Sequence, residues 1–184
     1  MTDLPAELCK TLVHRAHEAE GCLSRVWYSP CDAYRYGLSR VWDARKSALL
    51  FIMLNPSTAD EHRNDPTVAR CETRARAMGF GGVMIANLFA FRATRPQDLK
   101  RAALPVGDAN DLLLDAWSGN AGMTVAAWGV HGSHLGRAQQ VARRLQGDLH
   151  HLGLTKESHP RHPLYVSFAT APVPWPRTQR YPGG

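Results

Sequence analysis

The hydrophobic residues of this chain fall into short runs that predict buried strands. Residues 47–54 are apolar almost throughout, which is typical of a parallel strand that is covered on both faces. Comparable runs predict three further strands, over 83–89, 123–128 and 149–154. Residues 22–27 and 34–42 are rich in aromatic and β-branched residues and flank a Ser-Pro-Cys-Asp turn. They therefore predict an antiparallel hairpin ahead of the other strands.

Helical spacing of hydrophobic residues appears between these strands. Asp65 and Pro66 supply an N-cap and a first-turn proline for a helix that runs to a stop at Gly79. Further helices are predicted over 108–117 and 133–146. One face of the last helix would carry Leu135, Ala138, Val141, Ala142 and Leu145.

The alternation of strands and helices predicts an α/β fold. We expect a three-layer α/β/α sandwich with a mostly parallel central sheet of about four strands, preceded by the antiparallel hairpin. The length suits a single domain over 1–184. Its predicted parts are an N-terminal hairpin at 20–46, an α/β core at 47–168, and an irregular, proline-rich surface tail at 171–184.

Charge and cysteine content indicate which partners and which cellular compartment to expect. The chain has 22 Lys and Arg against 16 Asp and Glu, a net charge of +6. This excess favours contact with phosphates, but a solvated surface explains it about equally well. The four cysteines match neither a zinc motif nor a dense disulfide framework. Without a basic-then-apolar leader at 1–5 or an apolar run of roughly 20 residues, we expect a cytoplasmic protein with no membrane contact.

Two asparagines stand at or near the predicted carboxyl ends of strands, where open α/β sheets bind their ligands. Asn55 follows the first apolar strand, and Pro56 restricts its backbone, so its amide could orient a water or a substrate. A side chain that caps its own turn explains Asn55 at least as well. Asn87 interrupts the second apolar strand and has the donors and the acceptor to bind a pyrimidine edge; a hydrogen-bonded core asparagine is the alternative.

The loop after the last predicted strand carries further polar residues. His159 and His162 could donate hydrogen bonds to a developing anion, and Arg161 could bind a phosphate. A histidine in a surface loop is usually just solvated, and this chain has nine histidines. No metal-ligand spacing stands out among them.

Several strings carry a resemblance to known families. They are Met-Leu-Asn-Pro-Ser-Thr-Ala at 53–59, Asp-Pro-Thr at 65–67, Ala-Asn-Leu-Phe at 86–89, Gly-Leu at 153–154 and His-Pro-Arg-His-Pro-Leu at 159–164. Over about residues 27–175 the chain resembles the domain of unknown function 1643 family. In order and approximate spacing, the motifs around Asn55, Asn87 and His159 are also similar to the uracil-DNA glycosylase superfamily.

The glycosylase resemblance implies hydrolysis of the N-glycosidic bond of a deaminated or modified, uracil-type base in DNA. It implies that Asn55 positions the attacking water, that Asn87 reads the edge of the flipped base, and that His159 donates to the base oxygen. Other implied contacts are with the base, from Pro56, Ser57 and a stacking Phe89 or Phe91, and with DNA, from Arg161, His162, Leu164 and Tyr165.

The chain departs from the glycosylase pattern in two places. Ser57 stands where the Asn-Pro glycosylases usually have glycine, and Arg161-His162 lengthens the spacing between the last two prolines of the motif. Some members of that superfamily carry an iron–sulfur cluster, but the cysteine spacing here does not match one. The resemblance to the other members implies a reaction that uses neither a metal nor an organic cofactor.

Two other functions are compatible with the same residues. Asp60 or Asp65 could act as the general base of an enzyme that hydrolyses free nucleotides or nucleosides. A noncatalytic module that binds a modified or unpaired base is the other alternative, and the altered Ser57 position favours it. For the glycosylase hypothesis we expect DNA as the partner, no obligate protein partner, and a monomer.

Overall fold

The computed structural model describes residues 4–145 and 147–181. Positions 1–3, 146 and 182–184 lie outside the described residues. The predicted single domain, third helix and tail each extend over some of these positions. The strands are β1 (Val13–Ala19), β2 (Cys22–Tyr28), β3 (Arg35–Val41), β4 (Ala48–Met53), β5 (Gly82–Asn87), β6 (Met123–Ala126), β7 (Leu149–His151) and β8 (Val173–Pro174). The helices are α1 (Ala6–Thr11), α2 (Pro66–Ala77), α3 (Pro96–Arg101), α4 (Asn110–Asn120) and α5 (Arg137–Arg144). The predicted α/β class is confirmed.

All of these strands belong to one mixed sheet, in the order β1-β2-β3-β5-β4-β6-β7-β8. The four strands predicted from apolar runs pair with one another in parallel, as β5-β4-β6-β7. The other pairings are antiparallel, and they add β3, β2 and β1 at one side and β8 at the other. The prediction of a mostly parallel sheet of about four strands is therefore wrong, because the sheet has eight strands and more antiparallel than parallel pairings.

The two strands at the sheet edges, β1 and β8, lack a strong hydrophobic signal because they are largely exposed. β1 is exposed along nearly its whole length, so no apolar face marks it, yet it pairs with β2 over its full span. The predicted hairpin is present as β2 and β3, but β3 also pairs with β5. The hairpin is thus part of the main sheet, and it brings the start of β3 to the edge where β4 and β5 end.

Helices cover both faces of the parallel strands. On one face, α2 packs Val68, Cys71 and Ala75 against Phe51 and Ile85 of the sheet. The opposite core cluster contains residues of α4 and α5, including Leu113, Trp117, Ala138, Val141 and Ala142. Burial of the apolar faces of both helix layers is the main force that stabilises this arrangement.

The predicted third helix forms only in its second half. Residues 130–136 make a tighter 3-10 segment, and Leu135 has a left-handed backbone, with φ of 54°, and is 61% exposed. The regular helix starts at Arg137, after Gly136. Leu135 therefore does not share the buried face that was predicted for it. No helix among the described residues combines the length and the apolar character needed to cross a bilayer.

The predicted surface tail packs onto the protein as far as residue 181. Val173 pairs with His151 in β8 and β7, and Trp175 is only 1% exposed. The Arg180 side chain donates hydrogen bonds to the carbonyl oxygens of Trp175 and Ala142. The segment is largely irregular and exposed, but the buried side chains of Trp175 and Arg180 anchor it to the rest of the protein.

Candidate functional site

The carboxyl ends of the parallel strands open into a cavity of about 800 Å³, which we call the strand-end cavity. Ligands of α/β sheets are expected at this edge. Its walls come from the turn after β4, the start of α2, the segment before α3, the segment after β6, the loop after β7, and the start of β3. The charged residues that line it are Arg35, Asp65, Lys156, Glu157 and Arg161.

Asn55 lines the cavity directly after β4, and its amide orientation is fixed by the backbone. Its Nδ2 donates to the carbonyl oxygens of Ala93, at 2.6 Å, and Pro56, at 3.0 Å. No described residue donates to Asn55 Oδ1. The donor side of the amide is therefore used for structure, and the oxygen is the group that Asn55 can offer to a water or a ligand.

Asp65 lines the cavity from the N-cap position of α2. One of its oxygens accepts hydrogen bonds from the backbone N–H groups of Thr67 and Val68, both at 2.9 Å. The helix N-terminus favours a negative charge at this place, and the second carboxylate oxygen receives no hydrogen bond from the described residues. Asp60, the other predicted general base, accepts from the backbone N–H groups of His62 and Arg63 and does not line the cavity.

Arg35, the first residue of β3, lines the cavity although it is 1% exposed. Its Nη1 donates to the carbonyl oxygen of Ala59, while its Nε is buried and has no partner among the described residues. Burial lowers the pKa of Arg35 to about 10, against the opposing charge of Asp65. The guanidinium therefore stays positively charged at neutral pH.

The structure brings His162, and not His159, into the cavity. His162 Nδ1 accepts a hydrogen bond from the backbone N–H of Leu164 at 3.4 Å, and burial lowers the pKa of His162, against the opposing charge of Asp65. A neutral imidazole whose Nδ1 is an acceptor carries its proton on Nε2, so His162 has one N–H to donate. His159 packs its ring 6.1 Å from that of Tyr181, and its buried Nδ1 has no described partner.

The predicted base-binding residues are only partly in the cavity. Ser57 lines it, and Pro56 is buried beside it with its carbonyl oxygen bound to the backbone N–H of Ala93. Asn87 and Phe89 are fully buried and are not lining residues. Neither polar atom of the Asn87 side chain has a described partner.

The other predicted stacking residue, Phe91, is partly buried and packs its ring 5.8 Å from that of Tyr34 rather than lining the cavity. The ring of Phe89 packs 5.5 Å from that of His134, in the core. Among the described residues, no group of three or more His, Cys, Asp or Glu side chains is placed to hold a metal ion.

The rim of the cavity carries exposed charged side chains of both signs, including Glu157, and exposed apolar side chains. Lys156, Arg161 and Tyr165 line the opening, and Tyr165 is 81% exposed. Leu164, next to it, is 37% exposed. The side chain of Arg70, on α2, donates to the carbonyl oxygen of Pro163, at 2.8 Å, and to that of Val166. These bonds fix the turn that presents Leu164 and Tyr165 to solvent.

Sequence reasoning did not single out two residues of the cavity wall. Arg35 lies within the predicted hairpin strand at 34–42, where an arginine among aromatic residues is a signal for a paired or functional charge. Trp128 follows β6 and lines the cavity, and its Nε1 donates to the hydroxyl of Tyr181 at 2.9 Å. A tryptophan at the end of a predicted buried strand is likewise a sequence signal for a residue of the cavity wall.

Comparison with known proteins identifies one family. Searches of curated proteins and of solved structures found no match. Residues 35–164 match the family described as "Protein of unknown function (DUF1643)". The matched range begins at Arg35 and includes Asn55, Asp65 and His162. Because this range covers well over half of the 184 residues, the chain belongs to the DUF1643 family.

Proposed function

We propose that this protein hydrolyses the N-glycosidic bond of a deaminated or modified, uracil-type base in DNA. The observation that carries the proposal is that Asn55, Asp65 and His162 line one cavity at the strand ends. These groups supply an acceptor for a water, a carboxylate and an N–H donor, which are the groups that such a hydrolysis needs. The resemblance of the Asn55 and Asn87 motifs to the uracil-DNA glycosylase superfamily supports the same reaction.

In the proposed reaction, the oxygen of a water molecule forms a bond with C1′ of the sugar. The bond from C1′ to the base nitrogen breaks, and its electron pair moves to the base. Asn55 Oδ1 accepts a hydrogen bond from the water, and the free oxygen of Asp65 takes its proton. His162 donates from Nε2 to a base oxygen as negative charge builds there. The departing base anion later takes a proton from solvent.

The rim supports DNA rather than a free nucleotide as the substrate. Tyr165 and Leu164 are exposed where a ligand would enter, and an exposed aromatic side chain can stack on a base or fill the gap left by a flipped one. Lys156 and Arg161 lie beside the same opening and can contact phosphates. A free nucleotide has no neighbouring base for Leu164 and Tyr165 to contact.

The test is base release from DNA that contains uracil, hypoxanthine, xanthine or bulkier modified pyrimidines, as single and double strands. Asp65→Asn lowers the single-turnover rate by about 100- to 10,000-fold, because the proton acceptor is lost. The fold is retained, since Asn caps helices about as well as Asp. Asp60→Asn is the matched control: its side chain is bound to the backbone outside the cavity, and the rate stays close to that of the unchanged protein.

Three results would point elsewhere. No base release from any of these substrates contradicts the proposal. Release of the base from free nucleosides or nucleotides, unaffected by competing duplex DNA and lost in Asp65→Asn, favours a small-molecule hydrolase in the same cavity. Salt-sensitive DNA binding without release, unchanged by Asn55→Ala, favours a noncatalytic base-binding module.

A further inference from the structure

Arg35 is a buried cation that lines the strand-end cavity, and it contacts no oppositely charged side chain among the described residues. Arg35 is only 1% exposed and lies in the interior of the protein. Arg161, the other arginine that lines the cavity, is exposed at the rim. One described hydrogen bond, from Nη1 to the Ala59 carbonyl oxygen, engages it. None of the ion pairs formed by the described residues includes Arg35.

Burial of a charge without a full set of partners is costly, so an anion that binds beside Arg35 is stabilised by pairing with it. The Nε of Arg35 is buried and has no partner among the described residues. The acidic group with the largest electrostatic effect on Arg35 is Asp65, but the two side chains form no ion pair or hydrogen bond with one another. The donors of Arg35 are therefore left for an anion that enters the cavity.

His162 cannot supply this positive charge. Burial lowers the pKa of His162, so its imidazole donates a hydrogen bond in the neutral form. Lys156 and Arg161 are exposed at the rim, where water and salt screen their charges. A charge that develops inside the cavity is therefore stabilised most strongly by Arg35.

We propose that Arg35 binds the departing base as it becomes an anion, and that the cavity prefers anionic pyrimidine rings to neutral ones. This inference rests on the proposed N-glycosidic bond hydrolysis. When the bond from C1′ to the base breaks, both electrons go to the base, and the negative charge spreads onto its exocyclic oxygens. Arg35 then donates charge-assisted hydrogen bonds to one of these oxygens, which makes it a catalytic residue that acts on the leaving group.

The test compares the binding of two free pyrimidines by calorimetry at neutral pH. Barbiturate is a pyrimidine ring that is an anion at neutral pH, and uracil is a neutral ring of similar shape. The unchanged protein binds barbiturate about tenfold or more tightly than uracil, as expected for charge-assisted bonds to a buried guanidinium. In Arg35→Gln the two affinities come within about twofold of one another, because the charge is removed.

Arg40 provides the matched control on the same strand. It is also buried, at 4% exposed, but it binds Asn64 and the carbonyl oxygen of Asp60 and does not line the cavity. Arg40→Gln therefore keeps the preference for barbiturate. Arg35→Lys retains a charge with different geometry and gives an intermediate preference, which keeps the test decisive if Arg35→Gln does not fold.

The results separate this inference from the proposed function. Equal affinities for the two rings in the unchanged protein, or an undiminished preference in Arg35→Gln, overturn the role of Arg35 even if base release from DNA is observed. A preference that depends on Arg35, in a protein that releases no base from DNA, upholds the anion subsite and overturns the proposed reaction.

Discussion

Asn55 and Ala93 are joined by a hydrogen bond of 2.6 Å from the Asn55 side-chain Nδ2 to the Ala93 carbonyl oxygen. The backbone N–H of Ala93 in turn donates to the carbonyl oxygen of Pro56 at 3.1 Å. The turn after β4 and the segment before α3 are thus tied together at the cavity wall. This bond needs a donor on the side chain of residue 55, which the asparagine amide supplies and an aspartate carboxylate of the same shape does not.

The first prediction concerns this requirement. Asn55→Asp places a carboxylate against the carbonyl oxygens of Pro56 and Ala93, where it has no proton to donate. The free energy of unfolding falls by about 1–3 kcal/mol, as measured by urea denaturation. Asn120→Asp removes a bond to the Ala116 carbonyl oxygen on the exposed surface and costs less than about 1 kcal/mol, because water replaces the bond. Equal losses in the two variants would show that the Asn55 amide is not specifically required.

The pH dependence of stability tests the burial of His162. Burial lowers the pKa of its imidazole in the folded protein below the ordinary 6.5. As the pH falls below 6.5, the unfolded chain therefore takes up protons first, and stability decreases until the pH passes the folded pKa. His14 and His151, whose pKa values are also lowered by burial, contribute with the same sign.

The second prediction is that His162→Gln weakens this acid destabilisation without abolishing it. The measurement is the unfolding temperature of both proteins between pH 7.5 and the acid limit of folding. Because Gln does not titrate in this range, the curve of the variant is flatter below pH 6.5. A curve parallel to that of the unchanged protein would mean that His162 does not contribute.

The third prediction addresses the rim. Arg161→Ala weakens the binding of single-stranded DNA and lowers the slope of log K against log salt by about 1, because one phosphate contact is lost. Binding is measured by fluorescence anisotropy over a range of salt concentrations. Arg143, exposed on α5, is the control, and its alanine variant keeps the original slope. A slope that changes equally in both variants would point to a diffuse charge effect.

The fourth prediction concerns the segment after β7. Trp175→Ala removes a side chain that is 1% exposed and contacts the rings of Trp128 and His151. The free energy of unfolding falls by about 3–5 kcal/mol, which is the usual cost of such a cavity. Val173→Ala, at a residue that is 46% exposed, changes it by less than about 1 kcal/mol. A small effect at Trp175 would mean that the segment is dispensable for folding.

The parts of the fold that were predictable from sequence are those with strong local signals. The runs around Leu50, Met84 and Val125 are buried on both faces, so their apolar character predicts central strands. The start of α2 was predictable because Asp65 caps the helix with its own side chain. β1 was not predictable, since it is held by backbone bonds to β2 and has no apolar face.

The site was predictable in outline only. The strand-end position of Asn55 follows from the alternation of strands and helices, but the presence of Arg35 depends on how β3 pairs with β5. The choice between His159 and His162 depends on a loop in which Ser158 has a φ of 61° and Leu154 bridges to Pro160. Such a loop conformation is set by tertiary packing, and no local pattern in the sequence predicts it.

The bond between Trp128 and Tyr181 has a consequence for how the protein is made. Trp128 forms part of the cavity wall after β6, but the hydroxyl that holds its ring comes from residue 181, and β8 closes the sheet beside it. A nascent chain that has emerged from the ribosome only through β7 therefore carries an unfinished wall. The bond that holds the Trp128 ring can form only when residue 181 is available, so in co-translational folding this part of the wall is completed last.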